Sequence, residues 1–299
     1  AVFRPSGQDV VTAVDTMVDG VHFSLETMEP YHIGYRALAA NISDLAAMGS
    51  VPAFYLVSIV VPSNWGSAGL EELYKGMNDL AENYKMDVIG GDTVSGSQLS
   101  VSITVVGYVD KDKARYRSAA QSGDVVFVTG TLGDSRAGLE CLLKGSSINE
   151  EDKAFLINRH RMPEPRAAFA QSLYGIDRVV LNDISDGIAN EANEIAEASQ
   201  VDLHIEKQQI PYTPSLKDFF PDDYEEWMLS GGEDFELMGT VSSHDWLEVV
   251  KAAEKSGVTV SQIGVVKDRQ KETPRVYLHE HEKSEVVTKS GYTHLKKKG

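Results

Sequence analysis

One cysteine, Cys141, is all that the 299-residue chain contains. A single thiol excludes an intramolecular disulfide framework and any multi-cysteine zinc or iron–sulfur centre, and it fits a reducing compartment. Basic residues are scarce too. Against 45 Asp and Glu stand 28 Lys and Arg, a formal charge of −17. Such a chain repels DNA, RNA and anionic headgroups, which disfavours nucleic-acid and membrane-surface roles. If it handles phosphates, divalent metals have to bridge the two sets of negative charge. Long apolar runs are also missing. The longest, Val51 to Val61, falls far short of the roughly 20 residues of a membrane span. No signal-peptide pattern opens the chain, and Ala1 rather than Met begins it, so a processed or truncated start and a cytoplasmic location are expected. There is no G-x-x-x-x-G-K-[ST], no G-x-G-x-x-G after the first strand, no G-x-S-x-G and no H-E-x-x-H, which argues against P-loop, ordinary dinucleotide, hydrolase-elbow and zincin chemistry.

What is present is ordinary globular material, 42% hydrophobic and 24% charged, at a length that predicts two domains. Val10 to Val14 reads as a strand ending at Asp15. Gly34 to Met48 reads as a helix closed by Gly49. Tyr55 to Val61, between Pro52 and Pro62, reads as a buried strand. Leu70, Leu73, Tyr74, Met77, Leu80, Ala81 and Tyr84 mark one face of a second helix. Val88–Ile89 then leads into Gly90-Gly91-Asp92, and Leu99 to Val109 alternates as a strand. The polar stretch from Asp110 to Gly123 marks a boundary, giving an N-terminal domain over 1–113 and a C-terminal one over 114–299. In the second half, strands are expected at 124–129, 179–184, 235–241 and 258–266, and helices at 135–143, 188–198 and 246–255. Both halves read as α/β with mixed sheets.

The acids are the informative feature. Asp15, Asp92 and Asp183 each end an apolar strand pattern, Asp186 stands at the mouth of the following helix, and Asp44 lies in the helical Asn41-Ile-Ser-Asp44. Sites in open α/β sheets collect at strand C-termini, and carboxylates gathered there suit hard Mg²⁺ or Ca²⁺ ions. Any one of them could equally be a turn or N-cap residue. Gly130-Thr-Leu-Gly133 is a strand–helix turn that could admit a phosphate to a helix N-terminus, although such a turn also serves simply as a connection. His279-Glu280-His281 puts two imidazoles on one face of an expected strand, more often a solvated edge than a zinc site. Cys141 sits in an apolar helix pattern and reads as packing.

Several stretches in order resemble the thiamine-monophosphate kinase family, within the aminoimidazole ribonucleotide synthetase-like superfamily. They are Val14–Phe23, Asn41–Gly49, Gly90–Thr93, Arg117-Ser118 before Gly123-Asp124, Thr129–Ser135, Asp183–Gly187, Gly231–Leu237 and Gly291–Leu295. The resemblance implies a two-domain fold with N-terminal sheets pairing across a homodimer. It implies transfer of the ATP γ-phosphoryl group to thiamine monophosphate, assisted by several Mg²⁺ ions on Asp15, Asp44, Asp92, Asp183 and Asp186. Asp44, Asp92 and Arg117 would carry catalysis. Tyr74, Gly91, Asp92, Arg117 and Ser185 would contact ATP, and His22, Glu233 and Tyr292 the thiamine side. The family's Gly-Asp-Asp-Ala-Ala-Val metal motif precedes the first strand, and only its tail, Ala1-Val2, matches here. Ala13 and Val14 stand where the family commonly has hydroxyl residues.

The chemistry agrees with what the resemblance implies. Phosphoryl transfer asks for positioning and charge neutralisation, and an acceptor phosphate with a second pKa near 6 is already largely anionic, so no general base is required. Arg117 could add a fixed cation, while Glu233 and Tyr292 suit a cationic thiazolium ring. Two other readings compete: a different ATP-dependent synthetase of the superfamily, and a non-catalytic acidic metal-binding relative.

Overall fold

Residues 7–144 and 149–290 are described in the structure, a computed structural model. The chain passes three times between two compact units: residues up to 115 and 138–175 form the first, and 116–137 with 176 onward form the second.

The first unit is built on a four-stranded sheet. Along the chain come β1 (Asp9–Val18), α1 (Pro30–Ala47), β2 (Val51–Pro62), α2 (Ser67–Tyr84), β3 (Asp87–Gly96) and β4 (Ser100–Val109), and the strands lie in the order β1-β4-β2-β3. β1 and β2 run antiparallel to β4, while β3 is parallel to β2. β-Branched residues at alternate positions build the buried face, with Val57, Ile59, Val101, Ile103 and Val105 at 1% exposure or less. Helix α1 starts with Pro30 at its first position and ends where Gly49 takes φ +68°; the Gly49 N–H donates to Ala46 and the Ser50 N–H to Leu45. The expected C′ glycine therefore closes this helix. α4 (Glu150–Arg161) and α5 (Ala167–Ser172) also belong to this unit.

α1 and α2 meet backbone to backbone. A Cβ on Gly76 would lie 1.9 Å from the Tyr31 carbonyl oxygen, and one on Gly34 1.9 Å from that of Leu73. A helix-interior Gly→Ala change ordinarily stabilises by up to about 1 kcal/mol. Here the sign should reverse: Gly76→Ala is expected to destabilise by about 2 kcal/mol or more through overpacking. A denaturant midpoint at or above wild type would show that the helices part without cost.

The second unit holds a mixed seven-stranded sheet. Its elements are β5 (Val125–Thr129), β6 (Val179–Asp183), α6 (Ile188–Ser199), β7 (Val201–Glu206), α7 (Pro214–Phe219), α8 (Tyr224–Ser230), β8 (Leu237–Val241), α9 (Trp246–Ser256), β9 (Val260–Asp268), β10 (Val276–Glu280) and β11 (Lys283–Val287); the sheet order is β11-β10-β7-β9-β5-β8-β6. Val126, Val180, Leu203 and Ile263, all fully buried, join Ile184, Ile188 and Ile195 in its core. α3 (Asp134–Lys144) is divided between the units at residue 137.

Mixed α/β architecture in two parts is as expected, and three local readings change. β1 runs three residues past Asp15, and β3 four past Asp92, because pairing continues beyond both acids. Neither aspartate ends its strand. β10 stops at Glu280 and His281 turns away at φ +55°, so the two imidazoles do not share a strand face; His279 instead meets His204 at 2.8 Å. Cys141 is buried in α3, as packing requires.

Candidate active site

In the first unit, Asp15 lies in a row across the sheet with Ile103, Val57 and Gly91. Its backbone N–H donates to Asn41 Oδ1 at 3.1 Å, and the Asn41 amide in turn donates to the Ala37 carbonyl at 2.9 Å. Asn41 is thus a buried peg from α1 that holds edge strand β1 at the acid. Although Asp15 reaches solvent, desolvation by the protein around it raises its pKa, outweighing the attraction of His22. His22 Nδ1 accepts from the Val18 N–H at 3.1 Å, so the neutral ring carries its proton on Nε2. Asp44 sits half-buried one turn beyond Asn41 on α1.

Asp92 belongs to the next row, with Thr16, Ser102 and Ser58, and so projects from the opposite face of the sheet to Asp15. It is exposed, and its Oδ1 accepts from the Thr93 N–H at 2.9 Å. Gly91 beside it exposes bare backbone on this edge strand. Tyr74, on α2, is 38% exposed.

In the second unit, Asp183 ends β6 as expected and is buried, while Ser185 and Asp186 follow half-buried before α6. The Asp186 N–H donates to Glu191 Oε1 at 3.0 Å, and Asn182 donates to Glu191 Oε2 at 2.8 Å. Glu191 is pushed up to about 8, chiefly by burial, against the help of the Asp186 N–H and further by the charges of Asp183, Glu194 and Asp186. Four carboxyl groups therefore crowd this end of the sheet. Arg117 is aimed here: its Nε donates to Asn182 Oδ1 at 2.9 Å and its Nη1 pairs with Glu194 at 3.0 Å, with half of the side chain exposed.

Gly231–Glu236 zips onto the same segment. The Glu233 N–H donates to the Ser185 carbonyl at 2.7 Å, the Phe235 N–H to Ile184, and the Ile184 N–H to Glu236. Glu233 and Phe235 take φ +68° and +51°, left-handed conformations that cost a non-glycine residue energy and concentrate at functional sites. Asp234 between them is buried and accepts from the Gly133 N–H at 2.6 Å and the Ser135 N–H at 3.0 Å. The Thr129 hydroxyl donates to the fully buried Glu236 at 2.7 Å. The turn that could have admitted a phosphate is already filled and serves as a connection: the Asp234 carboxylate holds N–H groups at the start of the helix.

Asn41, Asn182, Glu191, Asp234 and Glu236 were not singled out by sequence reasoning. A signal existed for three of them, since Asn41 opens the Asn41–Gly49 stretch, from which only Asp44 was drawn, and Asp234 and Glu236 stand in the Gly231–Leu237 stretch, from which only Glu233 was drawn. Tyr292 lies outside the described residues. Among the described residues no three His, Cys, Asp or Glu converge into a ready metal cluster. All-oxygen donors and the crowding around Glu191 nonetheless suit a hard divalent cation. Mg²⁺ in particular commonly takes one or two carboxylates and completes its shell with water and substrate phosphate.

Two α/β units with mixed sheets, carrying Asp15 and Asp92 within strands and Asp183 at a strand end, define the class. The model of the AIR synthase related protein N-terminal domain matches residues 1–109, and that of the C-terminal domain residues 121–277. A thiamine-monophosphate kinase of Bacillus subtilis is 44% identical over 293 residues, covering 97% of this chain and 89% of the relative. Among solved structures, a thiamine-monophosphate kinase from Stenotrophomonas maltophilia aligns at a TM-score of 0.84 with 32% identity, over 91% of this chain and 86% of its own. AaThiL complexed with AMPPCP and TMP aligns at 0.83 with 29% identity, over 98% of this chain and 89% of its own. The chain belongs to the thiamine-monophosphate kinase family of the AIR synthase related proteins.

Proposed function

We propose that the protein transfers the γ-phosphoryl group of ATP directly to the phosphate of thiamine monophosphate, giving thiamine diphosphate and ADP. The observation that carries this reading is identity of 44% along 97% of the chain to a kinase of that name. The likeness to a complex with AMPPCP and TMP adds to it.

Asp15, Asp44, Asp92, Asp183 and Asp186 would hold Mg²⁺. The ions supply positive charge between two polyanions, which a chain of net charge −17 otherwise lacks. Asp15 and Asp92 leave the sheet by opposite faces, which favours several ions over one. Arg117, oriented by Asn182 and Glu194, offers its guanidinium to the phosphates of ATP together with the backbone of Gly91, Asp92, Ser185 and the ring of Tyr74. The acceptor phosphate is anionic at neutral pH, so the residues have to position it rather than deprotonate it. His22 and Glu233 take the thiamine side, Glu233 facing the cationic ring with the geometry its strained backbone imposes. Tyr292 supplies an aromatic face there.

Mixing protein, ATP, Mg²⁺ and thiamine monophosphate should yield thiamine diphosphate and ADP in equal amounts; ATP consumption independent of thiamine monophosphate would refute the reading. Tyr292→Ala is expected to raise the KM for thiamine monophosphate by about 10-fold, with that for ATP nearly unchanged. Equal effects on both substrates would assign Tyr292 a structural role only.

A homodimer paired through the N-terminal sheets is part of this reading. Opposite α1, the sheet presents Val10, Val14 and Val94 at 45%, 63% and 48% exposure, an apolar surface that a second copy would cover. Val14→Glu is expected to convert the dimer to monomer in analytical ultracentrifugation. A dimer of wild-type strength would place the interface elsewhere.

A further inference from the structure

Asn182 stands next to the end of β6, after Val179, Val180 and Leu181, and is fully buried. It shares a strand face with Val180, which joins Ile188, Ala192 and Ile195 of α6 in the core. An amide is a poor strand former, and burying one costs free energy unless its polar atoms find partners. Here all of them do. Oδ1 accepts from Arg117 Nε at 2.9 Å, and Nδ2 donates to Glu191 Oε2 at 2.8 Å and to Glu194 Oε2 at 3.3 Å.

Those partners leave the amide one orientation. A guanidinium donates and never accepts, so the carbonyl oxygen has to face Arg117 and the amide hydrogens the two acids. An apolar, hydroxyl or carboxylate side chain cannot meet one donor and two acceptors at once. Glu194 Oε2 also takes Arg117 Nη1 at 3.0 Å, which closes a ring through the three side chains. At the end of α6 the Ser199 hydroxyl holds the backbone, donating to the Arg117 carbonyl and accepting from the Ala120 N–H at 3.0 Å. Arg117 is therefore fixed at both ends although half of its side chain is exposed, and its Nη2 has no partner among the described residues.

We propose that Asn182 is a positioning residue for the nucleotide: it sets the direction and reach of the Arg117 guanidinium toward the ATP phosphates, and with them the affinity for ATP, without touching ATP itself. A side chain with no exposed surface meets no ligand, so its influence has to pass through its partners. An unheld arginine would be ordered only when ATP binds, at a cost in affinity. Asn182 and Glu194 order it beforehand and leave Nη2 for phosphate oxygens. The inference rests on the kinase reading for the assignment of Arg117 to ATP.

The test is a double-mutant cycle read as AMPPCP affinity, by calorimetry at saturating Mg²⁺. Arg117→Ala should weaken AMPPCP about 30-fold and Asn182→Leu about 10-fold. The double variant should match Arg117→Ala to within about 2-fold, because nothing is left to position. In turnover, Asn182→Leu should raise the KM for ATP about 10-fold and leave that for thiamine monophosphate within about 2-fold. A role confined to holding the fold would move both KM values and persist in the Arg117→Ala background. Should Asn182→Leu not fold, Asn182→Ser, which keeps a hydroxyl but lacks the atom that meets Arg117, runs the same cycle. Wild-type affinity in Arg117→Ala or in the Asn182 variant, or losses that multiply in the double variant, would overturn the inference and leave the kinase reading standing. A wild-type protein that binds AMPPCP without making thiamine diphosphate refutes the kinase reading while the cycle still decides the role of Asn182; one that does not bind AMPPCP refutes both.

Discussion

Asp92→Asn and Asp44→Asn are each expected to lower turnover at least about 100-fold while the protein stays folded. An amide keeps the size of the side chain but loses the charge that a hard cation requires of its ligands. The electrostatic contribution of such a group to phosphoryl transfer is worth several kcal/mol. Asp92 is exposed on an edge strand, with the Thr93 N–H as a hydrogen-bond donor that an Asn oxygen can still satisfy. Its substitution should shift stability by no more than about 0.5 kcal/mol, and the melting temperature by about 2 °C or less. Asp44 is half-buried on α1 and should move it somewhat more. The decisive measurement is initial rate against Mg²⁺ concentration. A metal ligand shows its defect most strongly at limiting Mg²⁺; a wild-type rate there would remove that residue from the metal set.

The second large effect concerns stability. Asp234→Ala is expected to cost about 2–5 kcal/mol, because it strands two buried backbone N–H groups at roughly 1–3 kcal/mol each. Those donors, on Gly133 and Ser135, open α3, and the carboxylate that satisfies them comes from a residue a hundred positions on. The favourable interaction of that charge with the helix terminus is lost as well. Asp234→Asn keeps one of the two acceptor oxygens and loses the charge, and should fall between the two. Urea midpoints read at constant m-value order the three proteins; an alanine variant as stable as wild type would show that water replaces the carboxylate without cost.

Local pattern made much of the fold legible before any coordinates. α1 was readable from its apolar run and Gly49, because helix periodicity and a left-handed C′ residue are properties of neighbouring positions. Aspartates 183 and 186 were placed correctly at the end of β6 and the mouth of α6 for the same reason. Asp15 and Asp92 were misplaced at strand ends. Aspartate is a poor strand former, but Asn41 reaches across from α1 to hold β1, and β2 pairs past Asp92; tertiary partners overrode propensity. α4 was missed because its polar sequence has little apolar periodicity; of the β10–β11 hairpin only a strand around His279 was read, and β11 was missed because it is short and charged.

By itself, the sequence determined class and charge: an acidic α/β chain with one thiol, poor in basic residues, whose ordered motifs place it in the thiamine-monophosphate kinase family. Those properties follow from composition and from residues adjacent along the chain. Only the tertiary structure decided that Asp15 and Asp92 lie on opposite faces, since one residue of register inverts a side chain across a sheet. It alone showed that Asp234 fills the turn at Gly133, that Glu233 is held in a left-handed backbone against Ser185, and that residues 138–175 return to the first unit. Each depends on hydrogen bonds or packing between segments tens of residues apart, and no spacing within one segment encodes them.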